Sequence, residues 1–219
     1  MAMQIPAHAN RSMVAIPTQT LLGHVLWITA LGMAITGLAA YFLQNIPFGA
    51  GMIAMLVGFG VLLLIHMTRN NETLSLLLFY IFAFLEGVGI APVIGNYVRT
   101  IGPDVVYQAA VTTGFGMAVL GGIVYLTGLD LRRFQGWIFG ALIVLVLAGL
   151  ASLFFHFISP TAYSWLTLLV FTGLTLVDFA RIKAGGDGLT PVQMAVQIYL
   201  DALNIFLALL QLFGGRRRD

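Results

Sequence analysis

Three carboxylates are embedded in long apolar runs: Glu86 in Phe84-Leu85-Glu86-Gly87, Asp178 in Leu176-Val177-Asp178-Phe179, and Asp201 in Tyr199-Leu200-Asp201-Ala202. Ionised in hydrocarbon, each costs at least ~2.5 to 3.5 kcal/mol on membrane-insertion scales. Each must therefore point into a bundle, find a partner or a watery cavity, or keep its proton. Two aspartates that approach each other in such a medium cannot both ionise cheaply, so they titrate as a unit. Carboxylate oxygens also suit hard cations, although two Asp and one Asn fall short of the ~6 to 8 oxygen ligands of a tight calcium site. The chemistry open to Asp178 and Asp201 is proton sharing and weak, transient cation binding of the kind conduction needs.

The elements that must position these residues are membrane helices. Of 219 residues, 60% are hydrophobic and 8% charged, against the ~25% charged usual for a soluble domain. The polar residues are bunched between apolar runs of about 20 residues, the length that crosses ~30 Å of hydrocarbon as a helix. Seven spans are expected, at about 20–43, 48–67, 73–98, 104–128, 135–157, 161–182 and 191–213. The result is an all-α membrane protein: a polar N-terminal segment 1–19, one seven-helix domain 20–214 and a basic tail 215–219. The first run exceeds the ~7 to 15 residues of a signal-peptide core and reads as a retained helix. Gln44-Asn45-Ile46-Pro47, Arg69-Asn70-Asn71-Glu72, Gly102-Pro103-Asp104 and Ser159-Pro160 punctuate the chain. Ala184-Gly185-Gly186-Asp187-Gly188 is a loop ahead of Pro191, which suits the first turn of the last helix. The absence of cysteine excludes thiolate-metal and disulfide chemistry.

If the N-terminus is cytoplasmic, the cytoplasmic loops hold Arg69, Arg132, Arg133, Arg181 and Lys183, and the opposite loops before the tail hold only Arg99. That asymmetry predicts an N-in orientation. Seven full spans then place Arg216, Arg217 and Arg218 outside, against the same rule. Either the last segment spans and the tail breaks the rule, or it is re-entrant and returns the tail to the cytoplasm; at ~22 residues it is long enough to cross, and a span is expected. The net charge of +2 belongs largely to this tail and points to no nucleic-acid partner.

The last helix carries Gln193, Gln197, Asp201, Asn204 and Gln211, with small Ala208 between the last two, all at helical spacing on one face. Such a stripe cannot face lipid, so this helix is expected at the centre with the other six around it. Asp178, one turn after Thr175, lies near the cytoplasmic end of the sixth helix, and Asp201 lies about one to two turns deeper in the seventh. The two can meet. Arg69, at the end of the second helix on the same side, is the candidate ion-pair partner of Asp178. Glu86, beside Gly87 and Gly89, is a candidate lining residue of the same cavity, as are Gln193, Gln197 and Asn204. Gly136-xxx-Gly140 and Gly87-xxx-Ala91 permit close helix contacts. His24, His66 and His156 lack metal-ligand spacing, and no cofactor is expected.

With Phe82-Ala83-Phe84-Leu85-Glu86-Gly87 leading to Ala91-Pro92-Val93-Ile94, with Leu176-Val177-Asp178-Phe179-Ala180-Arg181-Ile182, and with Ile198-Tyr199-Leu200-Asp201-Ala202-Leu203-Asn204-Ile205-Phe206 running into Leu210-Gln211-Leu212-Phe213-Gly214, the chain resembles bacterial members of the Bax-inhibitor-1, or transmembrane Bax inhibitor motif, family. The resemblance covers about 20–214. It implies a bacterial inner-membrane protein that acts as a pH-sensitive calcium leak. In that scheme Asp178 and Asp201 share a proton-dependent hydrogen bond and are the residues that meet a transient Ca2+, and Arg69 latches the closed state. An acidic residue that some members carry in the second helix has no counterpart here, since 48–67 contains no Asp or Glu.

Other classes fit less of the sequence. A non-transporting regulator that binds a membrane protease or a stress-response protein is what some bacterial relatives suggest, and it predicts no ion flux from purified liposomes. An intramembrane aspartyl protease also uses two membrane Asp, but the Gly-x-Gly-Asp signature is missing around both. A retinal receptor needs a Schiff-base amine inside the bundle, and the only lysine, Lys183, stands at a loop edge. The chain is therefore expected to be no enzyme.

Overall fold

The computed structural model describes residues 18–155 and 157–216; most of the polar N-terminal segment, His156, Arg217 and Arg218 lie outside the described residues. The helices are α1 (Thr18–Phe42), α2 (Phe48–Met67), α3 (Glu72–Thr100), α4 (Asp104–Thr127), α5 (Gln135–Phe155), α6 (Pro160–Lys183) and α7 (Pro191–Arg216), with a short 3-10 turn at Arg132–Phe134 before α5. All seven are long and apolar enough to cross a membrane. Their ends fall within a few residues of the expected spans because the polar punctuation supplies caps. Asn71 accepts from the Leu74 N–H at 3.1 Å to start α3, and Ser159 does the same for Ala162 at 3.2 Å ahead of Pro160 in α6. Gly128 closes α4 in the left-handed conformation, φ 72°.

α7 is the most enclosed helix. It packs directly on α1, α3, α4 and α6, whereas α2 lies against α3 and α5 against α6. The six surrounding helices thus form two shells instead of one ring. The reason is polarity: α7 has a stripe that must be covered, while α2 and α5 are apolar on every side and can meet lipid. Leu56 and Trp137 show this, at 72% and 83% exposed. Gly136 and Gly140 of α5, where close contact was permitted, have open space beside them. At Gly87 the contact is real: a Cβ there would come within 2.5 Å of the Thr36 carbonyl and 2.7 Å of the Ala39 methyl, so only glycine lets α1 and α3 touch.

Beside that crossing, the Thr36 hydroxyl donates to the Ala83 carbonyl at 2.8 Å and meets the Tyr199 hydroxyl at 2.6 Å. With its single proton committed to a carbonyl, Thr36 accepts from Tyr199. This knot ties α1, α3 and α7, and Tyr199 is fully buried against Phe79 and Phe82. Tyr199→Phe removes the donor and keeps the ring, so it is expected to cost about 0.5 to 1.5 kcal/mol, read as a modest fall in thermal midpoint in detergent. A midpoint unchanged from wild type would show that the hydroxyl contributes nothing.

Candidate functional site

The packing of α6 on α7 brings Asp178 and Asp201 together. The two carboxyls are close enough to interact with each other, and Thr175 is close enough to interact with Asp201. Both aspartates are buried. Nη1 of Arg181 donates to Asp178 Oδ1 at 2.9 Å and to Gln197 Oε1 at 2.9 Å. The spacing of Asp178 and Arg181 puts both on one face of α6, a turn apart. The Thr175 hydroxyl donates to the Phe171 carbonyl at 2.7 Å, so its proton is committed. Asp201 Oδ2 is buried and accepts from no donor among the described residues. Buried carboxyl oxygens without a donor are rare and costly. One proton held between Asp178 and Asp201 removes the deficit and makes two carboxylates, one proton and one guanidinium electrically neutral.

Beyond Arg181, toward the α6–α7 loop, stands a second set of charges. Arg132 donates through Nη2 to Asp130 Oδ2 at 2.8 Å and through Nη1 to Asp187 Oδ1 at 3.0 Å. Arg132 holds the Asp130 carboxyl down at about 2, chiefly through these side-chain hydrogen bonds and a backbone one. The group is lowered on folding, so the contact is fully formed above the usual aspartate range and is lost only as pH falls through about 2. Between pH ~5 and ~8 the Arg132–Asp130 bridge stays formed.

Arg69 does not serve as the partner of Asp178. It is exposed in the turn after α2, and α2 packs on α3, away from α6 and α7. The cation at Asp178 is Arg181, which the sequence reading assigned only to topology; the Asp-x-x-Arg spacing on one helix face was the available signal. Gln193 caps α7. Its side chain accepts from the Thr190 N–H at 3.1 Å, and its own N–H donates to Thr190 Oγ1 at 3.2 Å, a capping box that opens α7. Gln197 joins the site through Arg181. Glu86 stands apart from the aspartates: its Oε1 is the nearest atom to the Cβ position of Gly58, at the α2–α3 contact.

Asn204 faces the other half of α7. Its amide donates to the Leu200 carbonyl at 2.8 Å, and it lines a cavity of about 370 Å³ with Ser164, Thr167, Tyr163, Gln211 and Phe171. Gln211 accepts a hydrogen bond from Tyr97 of α3. The polar stripe is therefore split, with Gln197 and Asp201 in the charged site and Asn204 and Gln211 in the cavity, which Phe171 also lines. A larger space of about 1370 Å³ between α1 and α4 is lined almost wholly by apolar side chains such as Leu26, Met33 and Met117. It holds none of the charged groups. Asp178, Asp201, Gln197 and Thr175 bring side-chain oxygens to the site, and no group of three or more His, Cys, Asp or Glu that could hold a metal ion occurs among the described residues.

A seven-helix membrane bundle with two carboxyls buried side by side between its last two helices is the class of protein that this fold and site define. The chain belongs to the family described as inhibitor of apoptosis-promoting Bax1, whose model matches residues 18–218. It is similar to an uncharacterized membrane protein of Streptococcus pyogenes serotype M3, 31% identical over 212 residues that cover 85% of this chain and 89% of that one. It is also similar to the inner membrane protein YbhL of Escherichia coli K12, 27% identical over 217 residues covering 87% and 89%. An uncharacterized membrane protein of Vibrio cholerae is 27% identical over 192 residues covering 87% and 85%.

Proposed function

We propose that this chain is a passive cation pathway for Ca2+ in the bacterial inner membrane, gated by a proton shared between Asp178 and Asp201, with the N-terminus in the cytoplasm. The observation that carries the reading is the buried Asp201 Oδ2, which has no donor although the carboxyl of Asp178 lies beside it. A proton there binds α6 to α7, and its loss leaves two like charges in contact in a poor dielectric. The polar face of α7 supplies the remainder of a route, from the charged site past Phe171 to the cavity of Asn204 and Gln211. Such a pathway needs no catalytic step and no cofactor.

Phe171 is the apolar barrier on that route. Phe171→Val opens a continuous polar track beside α7, and the basal leak is expected to rise several-fold at every pH. An unchanged leak would place the barrier elsewhere. The reading as a whole is tested by Ca2+ efflux from proteoliposomes of the purified protein across roughly pH 5 to 8. The expected result is a flux well above that of protein-free vesicles that varies with pH. Efflux equal to that of empty vesicles at every pH would refute the pathway.

A further inference from the structure

Arg181 lies between two carboxylates on opposite sides. Inward, Nη1 contacts Asp178 Oδ1 at 2.9 Å; outward, Nε is 3.9 Å from Asp187 Oδ2. The arginine side chain is 8% exposed and that of Asp187 44%, so a short swing takes the guanidinium from the interior to the surface. Asp187 is held ready for it. Its φ of 49° lies in the left-handed region, flanked by Gly186 and Gly188 at 94° and 80°, a conformation that Asp and Asn tolerate better than other side chains. Arg132 Nη1 contacts both of its oxygens, at 3.0 and 3.3 Å, and Arg132 is itself fixed by Asp130. A carboxylate has about four acceptor positions, which leaves room for a second guanidinium. The remaining nearby cations point elsewhere. Lys183 donates to the Val124 and Tyr125 carbonyls at the end of α4, at 3.0 and 3.2 Å, and Arg133 lies over the Phe134 ring.

We propose that Arg181 is a tethered cation that fills the aspartate site in the closed protein and is displaced by an entering divalent cation, with Asp187 as the carboxylate that receives it. This deepens the pathway reading and rests on it. A divalent ion that reaches Asp178 and Asp201 while Arg181 stays in place meets a like charge at contact distance. Transfer to Asp187 removes that repulsion without leaving either charge unpaired, and an arginine, which does not lose its proton, has no other way to yield. The transfer needs rotation of one side chain anchored in the last turn of α6, with no movement of the helix.

The test uses the full-length chain in detergent, with Ca2+ as the probe. Arginine-directed dicarbonyl labelling, read by peptide mass spectrometry, follows the exposure of Arg181 with Arg99 as internal control. Saturating Ca2+ is expected to raise Arg181 labelling several-fold and to leave Arg99 unchanged. Asp187→Asn keeps the backbone conformation and removes the receiving charge, so Ca2+ binding is expected to weaken about tenfold, a loss of ~1.4 kcal/mol, with Asp187→Glu close to wild type. A purely structural role for Asp187 would not produce Ca2+-dependent labelling at residue 181. If Ca2+ binds and crosses wild-type proteoliposomes while labelling and Asp187→Asn affinity stay unchanged, the tethered-cation proposal is overturned and the pathway stands. If wild type neither binds nor passes Ca2+, both fall.

Discussion

Asp201→Asn is expected to abolish the pH response of Ca2+ efflux. The amide has the shape of the carboxyl and carries a permanent N–H donor, so Asp178 receives a hydrogen bond that no longer depends on a proton. The α6–α7 contact then has the same strength at every pH. Over roughly pH 5 to 8, a wild-type change of about tenfold should shrink to under about twofold, since one coupled pair can produce a change of that size. The loop bridge between Arg132 and Asp130 is excluded as a source, because it is formed throughout this range. Asp178→Asn should flatten the response as well, but with a different baseline, since it also deprives Arg181 of its inward carboxylate. A pH profile in Asp201→Asn that superimposes on wild type would remove the pair from the gating mechanism.

Arg181→Met is expected to be the most destabilising single change in the site. It leaves Asp178 buried without its counter-ion and Gln197 Oε1 without a donor, both of which Nη1 now satisfies at 2.9 Å. Breaking one side of a buried pair costs about 3 to 5 kcal/mol, whereas replacing both members by apolar residues of similar volume is often close to neutral. The double variant Arg181→Met/Asp178→Leu should therefore recover most of the loss, at the expense of the pH response. Unfolding in detergent, followed for wild type, both single variants and the double variant, measures the coupling. Additive effects in that cycle would show that the 2.9 Å contact carries little energy.

How much was legible beforehand differs between the backbone and the site. The seven helices and their ends could be read because hydrocarbon demands runs of about 20 apolar residues and because caps such as Asn71, Ser159 and Pro160 are local signals. The central place of α7 followed from a polar face that lipid excludes. The approach of Asp178 and Asp201 was open from sequence, since helix tilt can absorb a depth difference of about one to two turns between two helices that share a loop. Gln193 was assigned to the stripe although Thr190-x-x-Gln193 is a capping signature, because periodicity and capping use the same residue and only the hydrogen bonds separate them.

Sequence was thus sufficient for whatever is governed by the solvent: how many helices cross, which one is central, and which charges are too costly to face lipid. It was not sufficient for the partner of each charge. Arg69 and Arg181 share one end of the bundle and are equivalent on any count of depth or loop charge; the packing of α2 on the far side of α3 decided between them. The same holds for Asp187, a loop residue in sequence terms, which the left-handed turn and Arg132 carry to within 3.9 Å of Arg181. Hydrophobic burial depends on composition along the chain and is readable there, whereas ion pairs depend on angstroms between side chains from different elements, and those distances exist only once the helices have packed.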